Sequence, residues 1–176
     1  SITLLSALFG SAVALAQQAA DAVAPEAAIA QQAKSAGQPV NGKNWMVAVA
    51  NPLAATAAAR VLEKGGTAAD AAIAAQAMLG LVEPQSSGLG GGAFLVYYDG
   101  KTGALTTLDG RETAPMAATP QLFQNPDGEP LKFFSAVIGG RSVGVPGTPA
   151  LLAEMHRRWG STPWPELLRP SIDRAR

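Results

Sequence analysis

The chain has 176 residues, with 13 Lys and Arg against 13 Asp and Glu, no cysteine and one histidine. Neither sign of charge is gathered into a block, so nucleic acid is not an expected partner. The lack of cysteine excludes disulfides and thiolate chemistry, and a single histidine argues against a zinc site.

The N-terminal residues have the pattern of an exported protein. Residues 2–16 form an apolar run that ends in Ala14-Leu15-Ala16, an A-x-A cleavage pattern. The run is too short to span a bilayer comfortably, so we predict a signal peptide rather than a buried helix or a membrane span. The prediction is a signal peptide over residues 1–16, a mobile leader rich in Ala, Gln and Pro over residues 17–42, and a periplasmic or secreted mature protein.

A short strand and a helix are predicted next. Residues 46–50 are mostly apolar and favour a strand. Asn51-Pro52 pairs an N-cap residue with a proline suited to the first helical turn. The helix that begins there should end near Lys64, because Gly65 and Gly66 can supply a left-handed cap.

A second helix follows almost at once. Thr67 and Asp70 form a variant of the capping box, which predicts that a helix begins at Ala68 and continues to about Leu81. Its residues are apolar around nearly the whole circumference, so we expect it to be buried.

A glycine cluster leads into a hairpin. Four of the five residues from Gly88 to Gly92 are glycine, so the backbone there can turn tightly and pass close to another group. Residues 93–98 and 104–108 read as two strands joined by a turn. The hairpin carries Arg111 to its far end, where the guanidinium of this arginine is a candidate clamp for a carboxylate.

Two other motifs invite a catalytic interpretation. A phosphate loop would need a strand before the glycine cluster and a helix after it, but the predicted order is the reverse. The sequence Gly140-Arg141-Ser142-Val143-Gly144 fits the pattern of a nucleophile elbow. The residues after it delay the next helix until Thr148, so we expect a flexible loop rather than a serine nucleophile. That helix should run to Trp159, and another should begin at Thr162-Pro163, with Pro170 kinking it or opening a third.

Three blocks of sequence occur in order between Trp45 and Arg176. They are MVAVANPLAATAAARVLEKGGTAADAAIAAQAMLGLV, then EPQSSGLGGGAFLVYYDGKTGALTTLDGRETAP, then GRSVGVPGTPALLAEMHRRWGSTPW. Together they resemble the gamma-glutamyltransferase (gamma-glutamyltranspeptidase) family, and residues 43–176 look like the N-terminal part of its large subunit. We therefore expect the chain to be part of a longer one.

The resemblance implies a fold and an activity. The fold would be α/β (α+β), part of the four-layer αββα sandwich of N-terminal nucleophile hydrolases and incomplete here. The full-length protein would cleave gamma-glutamyl amides such as glutathione and pass the acyl group to water, amino acids or peptides. Its partner would be a small subunit from the same precursor, and no metal or organic cofactor would be needed.

The resemblance also assigns site residues. Arg111 matches the family's arginine that pairs with the α-carboxylate of the gamma-glutamyl group, and Glu112 would orient the loop or the arginine. The family's nucleophile is a threonine at the start of the small subunit, so it is expected beyond Arg176. No residue of this chain is expected to be catalytic, and these 176 residues should be inactive alone.

Two alternatives remain open from the sequence. A cephalosporin or glutaryl acylase would share the fold and the self-cleavage. A non-catalytic binding or scaffold protein could keep the large-subunit surface without a working nucleophile.

Overall fold

The structure is a computed structural model that describes residues 23–176, so the predicted signal peptide and the start of the leader lie outside the described part. The elements, in chain order, are α1 (Pro25–Ser35), α2 (Pro52–Glu63), α3 (Ala68–Val82), β1 (Ala93–Tyr98), β2 (Leu105–Gly110), α4 (Phe133–Val137), a 3₁₀ turn (Gly140–Ser142), α5 (Thr148–Trp159) and α6 (Trp164–Arg174). The described chain separates into two compact units. One holds residues 23–88 and 154–176, and the other holds Leu89–Ala153.

Helix α1 lies within the segment predicted to be a mobile leader. Proline occupies its first turn, and the backbone N–H of Ala24 donates a hydrogen bond of 2.9 Å to Oγ1 of Thr56 in α2. Ala24 is buried. The leader is therefore helical in part and is joined to α2 by this hydrogen bond, while its mobility stays a prediction.

Local signals place α2 as predicted. Oδ1 of Asn51 accepts a hydrogen bond of 2.9 Å from the N–H of Leu53, which satisfies one of the free donors at the start of the helix. The helix ends at Glu63 with Lys64 as its C-cap residue, and Gly65 follows with a φ of +84°, a conformation that favours glycine.

Helix α3 is the buried centre of the helical unit. Both hydrogen bonds of the predicted capping box form between Thr67 and Asp70. Small side chains on α2 and α3 let the two helices approach closely, and the buried residues at this contact are Ala54, Ala57, Ala58, Ala71, Ala74, Ala75 and Met78. The predicted burial of this helix is confirmed.

The prediction of a strand over residues 46–50 is wrong, because the structure has no strand there. Val47 and Val49 pack against the α2–α3 core, and Ala48 between them is exposed, as in an extended segment. Within residues 23–176 no neighbouring strand pairs with this segment, so its backbone lacks the ladder of hydrogen bonds that defines a strand.

Hydrogen bonds to Asp70 join the turn at Ser161 and Thr162 to helix α3. Its carboxylate is fully buried and accepts hydrogen bonds of 2.9–3.2 Å from the backbone and hydroxyl groups of Ser161 and Thr162. Burial raises the pKa of Asp70, but the hydrogen bonds from Thr67, Ser161 and Thr162 outweigh that effect and lower the pKa to about 2. The carboxylate therefore serves both as a helix cap and as the anchor for the turn before α6.

The second unit contains the predicted hairpin with a shifted return strand. β1 and β2 are antiparallel, with Ala93 opposite Gly110 and Tyr98 opposite Leu105. β2 was predicted over residues 104–108, but it runs from Leu105 to Gly110. The strand continues because a glycine at position 110 can still pair with β1 where a side chain would collide with Leu151.

The C-terminal helices follow the predicted pattern. α5 ends at Trp159, and α6 contains Pro170 without a break in the helix. Leu167 of α6 is fully buried. Over residues 23–176, no helix has both the length and the apolar character needed to cross a membrane.

Candidate functional site

Arg111 follows directly on β2, where the hairpin ends. The carboxylate of Asp109 accepts a hydrogen bond of 2.9 Å from the backbone N–H of Arg111, which fixes the direction in which the chain leaves the strand. The side chain of Arg111 is 69% exposed, and its Nε lies 3.2 Å from Oε2 of Glu112. The backbone of the arginine is thus fixed while most of its side chain faces solvent.

The guanidinium of Arg111 is engaged at one edge. Glu112 contacts Nε, and among residues 23–176 no other acceptor binds the two terminal nitrogens. Two parallel N–H groups of a guanidinium match the two oxygens of a carboxylate. The free edge of Arg111 can therefore bind a carboxylate end-on.

The side chain of Glu112 lies over the glycine cluster. A Cβ atom on Gly92 would lie 2.6 Å from Oε2 of Glu112 and 2.9 Å from Cα of Arg111. A Cβ on Gly91 would lie 3.5 Å from Oε1 of Glu112, an ordinary contact. Close approach is what the cluster was predicted to allow, and the structure assigns that requirement to Gly92.

Residues 144–148 also lie close to Arg111, in addition to the end of β2 and the glycine cluster. Thr113 and Val145 exchange two backbone hydrogen bonds of 2.8 and 3.3 Å. The carbonyl of Gly91 accepts the N–H groups of Gly147 and Thr148 at 3.0 and 3.1 Å. This segment therefore joins the glycine cluster to the chain just after Arg111.

Glycines make this junction possible. A side chain on Gly147 would collide with the carbonyl of Gly110, and one on Gly144 would come within 2.8 Å of Cβ of Glu112. Sequence reasoning treated these glycines as part of a flexible loop and missed their role. The local pattern gave no such signal, because the dipeptide Pro146-Gly147 indicates only a turn or loop. Gly110 pairs with Ala93 in the hairpin and makes room for Leu151.

Ser142 and His156 have structural surroundings. Ser142 lies in the 3₁₀ turn, with Oγ 2.7 Å from the carbonyl of Val137 and 3.0 Å from that of Gly139. Its turn follows helix α4 rather than a strand, so the nucleophile elbow is absent. Nε2 of His156 lies 2.8 Å from the carbonyl of Thr162. Among the described residues, neither Ser142 nor His156 forms a nucleophile and base pair of the kind that activates a hydroxyl.

The described chain also lacks a cluster of metal-binding side chains. No group of three or more His, Cys, Asp or Glu residues lies close enough between residues 23 and 176 to hold a metal ion. What the site offers is one guanidinium with a free edge. The carboxylate of Glu112 contacts it, and hydrogen bonds to Asp109 and Val145 fix the backbone that carries it. This arrangement can bind and orient an anion.

Comparison with known proteins relates this chain to a family. A family model described as Gamma-glutamyltranspeptidase matches residues 54–176. A glutathione hydrolase proenzyme from Bacillus subtilis (strain 168) is 48% identical over 131 residues, which are 74% of this chain and 22% of the relative. The chain thus spans about a fifth of the length of the curated relatives it matches.

Solved structures extend the likeness to the fold. The gamma-glutamyltranspeptidase from Pseudomonas nitroreducens, solved in complex with L-DON, is 39% identical with a TM-score of 0.70, over 75% of this chain and 38% of that one. This likeness confirms the predicted fold class, of which the chain carries a part. A cephalosporin acylase from Bacillus halodurans is 30% identical with a TM-score of 0.56, over 76% of this chain and 26% of that one. Since the family model covers well over half of its residues, the chain belongs to the gamma-glutamyltranspeptidase family.

Proposed function

We propose that the full-length protein is a gamma-glutamyltransferase and glutathione hydrolase, and that this chain supplies its carboxylate clamp. The observation that carries the proposal is Arg111 with its free guanidinium edge, in an intact Asp-Gly-Arg-Glu sequence of this family. The substrates would be glutathione and other gamma-glutamyl compounds.

Arg111 would fix the acyl donor by its α-carboxylate. Glu112 occupies the Nε edge, so the substrate carboxylate would meet the two terminal nitrogens end-on. The α-carboxylate does not change charge during cleavage of the gamma amide. The contact therefore holds substrate and acyl intermediate alike, and its main effect is to place the scissile carbonyl.

The chemical step would be supplied by a threonine beyond Arg176. Its hydroxyl oxygen would form an ester with the gamma carbonyl carbon as the C–N bond of the amide breaks and the amine leaves with a proton. Water would then hydrolyse the ester to glutamate, or the amine of an amino acid or peptide would take the acyl group. This threonine would begin a small subunit cut from the same precursor. The Bacillus subtilis relative is named as a proenzyme, which supports this step.

The test is to replace Arg111 in the full-length protein. Arg111→Ala should lower kcat/KM for a gamma-glutamyl p-nitroanilide by about two to four decades. This is the effect of losing ~3–5 kcal/mol with one partner of a pair that bound substrate and the rest of the full-length protein would partly desolvate. KM should carry most of the change. Arg111→Lys should recover only part of the loss, because an ammonium cannot bind both carboxylate oxygens in parallel.

Self-cleavage of the precursor is the internal control. No free α-carboxylate takes part in that reaction, so both Arg111 variants should mature normally. A variant Arg111→Ala that matures and keeps a near-normal kcat/KM would show that the clamp assignment is wrong.

The cephalosporin or glutaryl acylase activity is a second candidate, and the likeness to the Bacillus halodurans acylase favours keeping it. The likeness to the gamma-glutamyltranspeptidase is greater in both identity and TM-score. Hydrolysis of a glutaryl cephalosporin without turnover of a gamma-glutamyl anilide would support the acylase instead.

The protein would act outside the cytoplasm, in the periplasm or after secretion. The support is the apolar run of residues 2–16 and its Ala14-Leu15-Ala16 ending. We expect the mature protein to begin at or near Gln17, as measured by mass spectrometry of the protein purified from its native host. Recovery of a mature protein that retains residues 2–16 would contradict this.

A further inference from the structure

Three successive glycines before β1 have different surroundings. A Cβ on Gly90 would meet open space, and one on Gly91 would make an ordinary contact of 3.5 Å with Glu112. A Cβ on Gly92 would lie 2.6 Å from Oε2 of Glu112 and 2.9 Å from its Cδ, far inside contact distance. None of the three has a positive φ, so their backbones accept alanine.

We propose that Gly92 is a positioning residue for Arg111 and thereby a determinant of selectivity for substrates with an α-carboxylate. This inference rests on the proposed function. The bare backbone at Gly92 gives the carboxylate of Glu112 a place to lie, and from that place Oε2 holds Nε of Arg111 at 3.2 Å. The free edge of the guanidinium is thereby turned in one direction.

The backbone around Arg111 cannot readily move aside for a methyl group at position 92. The carboxylate of Asp109 accepts a hydrogen bond of 2.9 Å from the N–H of Arg111. Both the N–H and the carbonyl of Thr113 form hydrogen bonds with the backbone of Val145. The methyl would also lie 2.9 Å from Cα of Arg111, which is part of this fixed backbone. The methyl would displace the side chain of Glu112 and release Nε of Arg111, and its contact with Cα would also strain the backbone that carries the arginine.

The experiment is an alanine series in the full-length protein, with Gly90→Ala, Gly91→Ala and Gly92→Ala. Each variant is assayed with two substrates, gamma-glutamyl p-nitroanilide and 4-aminobutanoyl p-nitroanilide. The second substrate differs from the first only in lacking the α-carboxylate. The ratio of the two kcat/KM values measures discrimination for the α-carboxylate, and a general loss of folding or of active enzyme leaves that ratio unchanged.

Gly92→Ala should lower this ratio by about 10- to 100-fold, more than loss of the Glu112 charge alone, because the methyl also presses on Cα of Arg111 and would displace the guanidinium by roughly 1 Å. The loss should come chiefly from a higher KM for the gamma-glutamyl substrate. Gly90→Ala should keep the wild-type ratio, and the ratio for Gly91→Ala should be close to that of the wild type. A ratio for Gly92→Ala equal to that for Gly90→Ala would overturn the inference.

The outcomes separate this inference from the proposed function. Absence of gamma-glutamyl turnover in the wild type, or an unchanged ratio in Arg111→Ala, would count against the proposed function itself. If Gly92→Ala does not mature, Gly144→Ala serves in its place, because its methyl would lie 2.8 Å from Cβ of Glu112. An unchanged ratio in that variant would also overturn the role of the Glu112 position.

Discussion

Arg111 and Glu112 form an ion pair that water weakens. Their side chains are 69% and 36% exposed, and the joining distance of 3.2 Å involves only Nε. Exposed pairs of this kind contribute about 0.2–1 kcal/mol. This energy contributes little to the stability of the fold, so we expect the main role of Glu112 to be orienting the guanidinium of Arg111.

Glu112→Gln should test this orienting role in the full-length protein. The amide keeps the shape of the side chain and loses the charge, so KM for a gamma-glutamyl substrate should rise about two- to five-fold with little change in kcat, in line with the energy of an exposed pair. Steady-state kinetics would measure both constants.

Glu154→Gln is the matched control for this variant. Glu154 pairs with Arg157 and Arg158 on the surface of α5, and its side chain is 33% exposed, close to the value for Glu112. The control should leave KM unchanged. A rise in kcat/KM for Glu112→Gln would show that the carboxylate repels the substrate rather than orienting Arg111.

At the scale of elements, Asp70 decides how the helices of the first unit are joined. One carboxylate caps α3 and also accepts the donors of the turn at Ser161 and Thr162, which precedes α6. Nε2 of His156 lies 4.0 Å from Oδ1 of the same carboxylate. Replacing the charge would weaken two elements that lie far apart in sequence.

Asp70→Asn should lower the free energy of unfolding by about 1.5–3 kcal/mol near neutral pH, the range for hydrogen bonds to a charged group. The pKa of Asp70 is lowered from its ordinary value of 3.8 to about 2. Its stabilising effect is therefore complete above about pH 4 and is lost as the pH falls toward 2. Urea unfolding of the full-length protein across this range should show the two proteins converging in stability.

Asp99→Asn is the matched control, because folding also lowers the pKa of this carboxylate but does not bury it. Asp99 lies in the exposed hairpin turn, where the N–H of Lys101 donates to it and lowers its pKa. This variant should change stability little. A difference between Asp70→Asn and wild type that stays constant down to pH 2 would refute the account based on the Asp70 carboxylate.

At the scale of the whole molecule, the described chain leaves large apolar side chains exposed. Phe94, Val96 and Tyr98 on one face of β1 are about two-thirds exposed, and Phe133 and Phe134 in α4 are 70% and 72% exposed. Between residues 23 and 176 the sheet has two strands, and a hairpin of that size is only marginally stable by itself. Surfaces of this kind are normally buried against further protein.

We therefore expect these 176 residues expressed alone to self-associate and to lack activity. Size-exclusion chromatography should show aggregates, and an apolar dye should bind more strongly than to the full-length protein. Turnover of a gamma-glutamyl anilide by the purified 176-residue chain, or a monodisperse monomer without dye binding, would contradict the prediction.

The sequence by itself determined the elements that depend on neighbouring residues. The cap at Asn51, the left-handed Gly65 and the Thr67–Asp70 capping box involve contacts within four residues, so short patterns identify them. The hairpin and the placement of Arg111 at its end followed in the same way. The family resemblance added the role proposed for Arg111, which a lone exposed arginine does not reveal.

Only the tertiary structure decided which distant segments meet. Backbone hydrogen bonds join residue 91 to residue 147, and others join residue 113 to residue 145. The carboxylate of Asp70 accepts a hydrogen bond from Ser161, which lies 91 residues further along the chain. Such contacts depend on the packing of the whole unit, so local patterns carry no direct record of them. The same reason explains the unpaired segment at residues 46–50, because a strand requires a partner and apolar alternation alone does not provide one.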